Sequence, residues 1–214
     1  MHLRQHTISA CCTSVAWLMA DLAVFASGSG TNFEAIVAHL SGTAHRVACL
    51  VCDKPNAGVL QRCRRLGIAT YVVPYSGRTR EQAEREILSI MQHRGVELIA
   101  LAGFMRLLSA AFIDSFDGPI LNLHPSLLPK HPGCDAIETS YRSGDNELGI
   151  TIHHVDSGLD SGPIILQKSF RRTGGESLQQ IEQRIHELEH QWFPTVICRF
   201  LDNVPQSNND GGSQ

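Results

Sequence analysis

Between residues 21 and 200, apolar runs of strand length alternate with amphipathic stretches of helix length, and that alternation leaves few folds open. Strands joined by helical crossovers run parallel, and a parallel sheet needs cover on both faces, so its strands read as near-continuous apolar segments. The pattern predicts strands at 21 to 26, 46 to 51, 69 to 73, 97 to 102 and 119 to 123. Helices are predicted at 32 to 40, 56 to 66, 79 to 93 and 109 to 116. In the third helix Ala83, Ile87, Leu88 and Met91 recur at helical spacing, with Arg80, Glu81, Glu84, Arg85 and Glu86 assigned to the outer face. Past Gly133 a short helix at 135 to 143 precedes strands at 147 to 154 and 162 to 170, the second added at the sheet edge. A last helix from 177 to 200 aligns Ile181, Ile185, Leu188, Trp192 and Val196, with Ser177 as its N-cap. The expected fold is therefore α/β: an open, mostly parallel sheet with helices on both faces and an antiparallel addition in the C-terminal part.

A chain of 214 residues is enough for one such domain, and no repeat or linker divides it. The domain is expected over 19–202, with 1–18 a leader or mis-assigned start and 203–214 a polar, disordered tail. With 43% hydrophobic and 18% charged residues, collagen, coiled coil and wholesale disorder are excluded. Eighteen basic against 21 acidic side chains give a net charge of -3, which offers nucleic acid no global attraction. No apolar run approaches the roughly 20 residues of a membrane span. Seven cysteines, at 11, 12, 49, 52, 63, 134 and 198, show no framework spacing and point to a reducing, cytoplasmic setting. Cys49 and Cys52 form a C-x2-C pair with no partner pair, which reads as structural rather than zinc-binding.

Three segments carry polar chemistry. Ser27-Gly28-Ser29-Gly30-Thr31-Asn32 joins the first strand to the first helix, where glycines admit close approach and free N–H groups can hold a phosphate. Phe33 occupies the third glycine position of a dinucleotide fingerprint and the P-loop lysine is missing, so neither of those readings holds. In Asn122-Leu123-His124-Pro125-Ser126 the Asn and His stand two apart at a strand end and share a face. Parallel sheets bind ligands at that edge, and an imidazole that moves protons beside an amide that stabilises an oxyanion suits attack on a carbonyl carbon. A hydrogen-bonded strand terminus accounts for the same residues without chemistry. The third segment is His153-His154-Val155-Asp156-Ser157-Gly158-Leu159-Asp160. Adjacent histidines in a strand face opposite ways, which disfavours a metal pair. Asp156 is placed to cap the turn, and Asp160 to fold back on His124 and manage a proton or a water.

Together these segments, with Ala102-Gly103-Phe104-Met105-Arg106 and the spacing His154 to Asp160-Ser161-Gly162-Pro163, resemble the glycinamide ribonucleotide formyltransferases across roughly residues 21 to 200. The resemblance implies a Rossmann-like formyltransferase fold and Asn122, His124 and Asp160 as the catalytic trio. It implies Gly30, Thr31 and Asn32, joined by Arg80, at the ribonucleotide phosphate. Arg106, Leu107 and Leu108 become the segment that holds the folate pterin, and Glu189 the contact to the substrate amine. Bottom-up, Arg106 reads equally as a solvated charge, Met105 and Leu107 as core, and Glu189 as a surface ion pair. The implied cosubstrate is 10-formyltetrahydrofolate, with no metal, and the implied acceptor is glycinamide ribonucleotide in purine synthesis, in a monomer or homodimer. Cys134-Asp135 departs from a His-rich turn, and His186 stands where relatives commonly carry Gln. A formyltetrahydrofolate hydrolase, transfer to methionyl-tRNA or a deoxysugar nucleotide, and a non-catalytic metabolite sensor are the competing readings.

Overall fold

A computed structural model describes residues 20–203; the expectations for 1–18 and for the tail beyond 203 lie outside the described residues. Five strands, β1 (Asp21–Phe25), β2 (Arg46–Cys52), β3 (Thr70–Val72), β4 (Leu98–Leu101) and β5 (Ile120–His124), alternate with four helices. These are α1 (Thr31–Leu40), α2 (Val59–Leu66), α3 (Arg80–His93) and α4 (Ala110–Ser115). Then come α5 (Ala136–Arg142), β6 (Glu147–His154), β7 (Ile164–Arg171) and α6 (Leu178–Leu201). The seven strands form one sheet in the order β3-β2-β1-β4-β5-β6-β7. β1 to β5 pair in parallel, whereas β6 and β7 join antiparallel beyond β5.

Period-two alternation along the central strands divides the core. Leu22 and Val24 of β1 face one apolar cluster with α1, α2 and α6, while Ala23 and Phe25 face a second with α3 and α4. Cys49 and Cys52 fall into different clusters, on opposite sides of the sheet, so the C-x2-C pair cannot share a metal. Both thiols are buried, and burial pushes that of Cys49 up to about 11.

The elements depart from expectation in two places. α2 begins at Val59 rather than 56, because Pro55 to Gly58 form a turn and the Val59 N–H is used by the carbonyl of Gly28, at 3.1 Å. The start of α2 is thereby docked on the glycine turn. Glu84 is not on the outer face of α3. It is 3% exposed and accepts the backbone N–H of Ser109 at 3.0 Å and the Ser109 hydroxyl, tying α3 to the start of α4. Periodicity cannot anticipate a buried carboxylate whose partners lie 25 residues away.

From β1 the chain winds outward through β2 to β3 on one side, then returns through α3 to start β4 on the other side of β1. The C-terminal ends of β1 and β4 therefore flank a topological switch point, where the loops diverge and leave a crevice. The glycine turn, the loop after β4 and the end of β5 all open there.

Candidate active site

Gly30 occupies the N-cap of α1 with φ +82°, and no side chain caps the helix. A Cβ at Gly30 would stand 2.5 Å from Val59 Cγ2, so φ and the approach of α2 both require glycine. The uncapped N–H groups of the first turn, with the helix dipole behind them, face the crevice and suit an anion. Asn32 turns its amide away from solvent: Nδ2 donates to Glu189 Oε2 at 2.9 Å, while its Oδ1 is buried and unpartnered. Glu189 is 4% exposed and shares the same oxygen with His186 Nδ1, at 2.8 Å. That hydrogen bond raises the pKa of His186 above its ordinary value, against the opposing effect of burial.

On β5, His124 is buried, and its Nε2 lies 2.8 Å from the carbonyl of His131. A carbonyl only accepts, so Nε2 carries the hydrogen and the lone pair of a neutral ring sits on Nδ1. Nδ1 stands 3.4 Å from Asp160 Oδ2. Asn122 Nδ2 donates to Asp160 Oδ1 at 3.2 Å and to His153 Nε2 at 3.0 Å. His153 Nδ1 is 2.8 Å from the carbonyl of His154, which makes Nδ1 the donor and Nε2 the acceptor. Both acceptors around Asn122 demand its NH2, and this sets the orientation of the amide. Asp160 also accepts the N–H of Gly133 at 2.8 Å. Burial pushes the Asp160 carboxyl upward, but the neighbouring His153 ring, the Gly133 N–H and the His124 ring together hold it below the usual range. The Gly133 bond does not depend on the protonation of any side chain.

Strain gathers at the same place. Among the described residues three other than glycine have positive φ, namely His131 (54°), Asp135 (57°) and Asp160 (50°), and all three border the trio or its cavity. Each such residue costs on the order of 1 to 3 kcal/mol, offset by its surroundings. Here His131 offers its carbonyl to His124, and Asp160 its carboxylate to the trio.

The third wall is the segment after β4. Gly103 accepts the N–H of Ser27, joining that segment to the end of β1. Phe104 and Leu108 are buried, whereas Met105 and Leu107 are 57% and 43% exposed and so are not core. Arg106 Nε donates to Asp53 Oδ2 at 2.7 Å, and its guanidinium lies 5.1 Å from the centre of the Tyr75 ring. Arg106 is therefore an anchored side chain rather than a free solvated charge. A cavity of about 580 Å³ is enclosed between the three walls.

The structure brings Gly30, Thr31, Asn32, Arg106, Leu107, Leu108, Asn122, His124, Asp160 and Glu189 into the wall of this one cavity. Arg80 is not among them. It begins α3, which packs on the opposite face of the sheet from α1, and it is exposed. The arginine that does meet the glycine turn is Arg62, donating to the Ser29 carbonyl at 2.7 Å. Asp156 caps its turn as expected, through Gly158 N–H and the Ser161 hydroxyl. His153 and His154 do face apart: one meets Asn122, and the other packs against Phe200 of α6. Sequence reasoning weighed His153 only as a ligand and missed it as the partner of Asn122. The two-residue register that pairs Asn122 with His153 across β5 and β6 becomes visible only once the antiparallel pairing is known. Cys134 and His186, the two departures from the expected pattern, both line the cavity.

An open, mostly parallel sheet with an uncapped helix start at its switch point and an Asn-His-Asp cluster on the neighbouring strand has the layout of an α/β group transferase. The chain matches the formyl transferase family over residues 20–197 and belongs to it. Among its relatives, phosphoribosylglycinamide formyltransferase of Bacillus subtilis (strain 168) is 46% identical over 186 residues, covering 86% of this chain and 95% of that one. The enzyme of that name from Escherichia coli (strain K12) is 37% identical, over 85% and 87% of the two chains. The crystal structure of glycinamide ribonucleotide transformylase 1 from Geobacillus kaustophilus superposes with a TM-score of 0.81 at 46% identity, covering 86% of this chain and 99% of that one. The fold expected from the sequence is thus the fold of this family. Among the described residues, no helix is long and apolar enough to cross a membrane.

Proposed function

We propose that the protein transfers the formyl group of 10-formyltetrahydrofolate to the amine of glycinamide ribonucleotide, the acceptor that its relatives' names carry, as a step of purine synthesis. The observation that carries this reading is the meeting of Asn122, His124 and Asp160 in the same cavity as the uncapped start of α1. One end of the cavity suits a phosphate and the other a reacting carbonyl. The slot beside Leu107 and Leu108 suits a flat, largely apolar donor, with exposed backbone for its polar edge. The buried, unpartnered Asn32 Oδ1 requires a hydrogen-bond donor, which a hydroxyl or the amine of the ribonucleotide, rather than its phosphate, would supply.

In the proposed reaction Gly30, Thr31 and Asn32 hold the ribonucleotide phosphate, and Glu189, fixed by Asn32 and His186, meets the substrate amine. Arg80 joins them only if its side chain extends around the end of the sheet. The amine nitrogen attacks the formyl carbon, forming the new C–N bond while the carbonyl π pair moves to oxygen. Asn122 releases Asp160 and donates to that oxyanion. His124 Nδ1 accepts the amine proton, directly or through a water, and Asp160, 3.4 Å away, faces the resulting positive ring. Collapse re-forms the carbonyl and breaks the bond to the folate nitrogen, which takes the proton back from His124. No covalent enzyme intermediate is needed. Placement of donors where charge develops is worth about 2.7 to 4 kcal/mol for each such group.

The test is purified protein with 10-formyltetrahydrofolate, with and without glycinamide ribonucleotide, following tetrahydrofolate and formylated product separately. Acceptor-dependent release of both in equal amounts is expected. Tetrahydrofolate released at the same rate without acceptor would replace this reading by hydrolysis, and binding with no turnover would replace it by a sensor.

A further inference from the structure

We propose that Asp53, which does not line the cavity, is the positioning residue that fixes the 102–108 segment for the formyl donor. The inference rests on reading that segment as the donor's wall.

Asp53 follows β2, and its side chain has no exposed surface. A carboxylate so placed persists only if its oxygens are matched by donors, and both are. Oδ1 accepts the Ser27 hydroxyl at 2.6 Å, and Oδ2 accepts Arg106 Nε at 2.7 Å. The Ser27 oxygen in turn accepts the backbone N–H of Met105 at 2.8 Å. One buried carboxylate thus reaches the segment twice, through the main chain at 105 and through the side chain at 106.

The segment needs such a hold. Backbone bonds from Ala102 to Phe25 and from Ser27 to Gly103 secure its base, but they end at Gly103, which has φ +75°. Phe104 and Leu108 pack into the core, whereas Met105, Arg106 and Leu107 between them are largely exposed. Packing therefore leaves the middle of the wall loose, and the polar contacts at 105 and 106 restrain it. The contacts end on Asp53 and Ser27, at the C-terminal ends of β2 and β1. None reaches β5 or the Asp160 loop, and Asp53 itself touches none of Gly30, Thr31 and Asn32, so its loss falls on the donor side.

Steady-state kinetics with each substrate varied separately test this, with a thermal melt of each variant. Asp53→Ala should raise KM for 10-formyltetrahydrofolate by roughly tenfold or more, the range for hydrogen bonds to a charged group. KM for glycinamide ribonucleotide and kcat should stay within about twofold, the spread expected of a contact that touches neither. Asp53→Asn, which keeps hydrogen-bonding capacity without charge, should show the same split to a smaller extent. A parallel rise in both KM values, or none in either, overturns the proposal. If Asp53→Ala does not fold, the Asp53→Asn split decides alone. Wild-type protein that makes no formylated product refutes the functional reading and this inference with it. Active wild-type protein without the split refutes only the role of Asp53.

Discussion

Asp160→Asn is the substitution that isolates the chemistry from the fold. Asn tolerates left-handed backbone as Asp does, so φ of +50° is kept, where alanine would add strain of its own. The carboxylate serves three groups: the Gly133 N–H at 2.8 Å, Asn122 Nδ2 at 3.2 Å and His124 Nδ1 at 3.4 Å. An amide can turn its oxygen to only one side. Facing Gly133, it sets its own NH2 against that of Asn122; reversed, it sets NH2 against the Gly133 N–H. In either case the negative charge opposite Nδ1 is gone when His124 takes up the amine proton. The loss of one such electrostatic contact corresponds to about 2.7 to 4 kcal/mol, or about a hundred- to a thousandfold in kcat. Both KM values should remain within about threefold, because neither the α1 turn nor the 102–108 segment is touched. The assay is formylated product formed under saturating substrates, with circular dichroism to confirm folding. A folded variant with kcat within about threefold of wild type would show that Asp160 does not face developing charge, and the mechanism built on the trio would fall.

Gly30→Ala should cost about 2 to 4 kcal/mol, from positive φ and from the Cβ that would meet Val59, and should weaken ribonucleotide binding more than donor binding. Urea unfolding and calorimetric titration read the two effects, and unchanged stability would refute the double requirement for glycine. His186 has its pKa raised by Glu189, so its pairing contributes stability that is full below the unfolded value and is lost as pH rises through the folded one. Melting temperature should therefore fall by more in wild type than in His186→Gln between pH 6 and 9, as a scan at constant ionic strength would show; matching slopes would remove the ion pair from the account. In a variant with Cys11 and Cys12 replaced by Ser, a thiol reagent should label exposed Cys134 first and leave Cys49 and Cys63, both pushed up to about 11 by burial, until unfolding. Glycinamide ribonucleotide or folate should slow labelling of Cys134, which lines the cavity; unprotected labelling would place the ligands elsewhere.

The fold was legible because its signal is local and periodic. Strand β6 was expected at 147 to 154 and spans Glu147–His154, and the Ser177 cap of α6 forms with its reciprocal Gln180 bond. The meeting of Asn122, His124 and Asp160 was legible because the first two share a face at the end of β5 and the third sits in a turn-rich loop after β6. What stayed hidden depends on pairing across long sequence distances. Glu84 reads as a surface residue until α4 supplies Ser109, and Glu189 reads equally as a surface charge until Asn32, 157 residues away, meets it. Asp53 carries no motif at all, and its burial follows only from the convergence of β1, β2 and the segment after β4. For Arg80 the resemblance in sequence implies a place at the phosphate, and the structure sets its helix on the other face of the sheet from α1.

The two halves of the sheet contribute differently to the site, and the difference follows from strand direction. Parallel strands β1 and β4 end side by side on one edge of the sheet, and the loops that part from them line two sides of the crevice with backbone N–H groups and apolar walls. β6 runs the other way, so a residue in its last turns comes level with the middle of β5, as His153 does with Asn122, and the chain leaving it folds back over the crevice with Asp160. On that return path a carboxylate 36 residues beyond His124 reaches the imidazole through Oδ2, and Gly133, on the intervening loop, donates its N–H to the same oxygen.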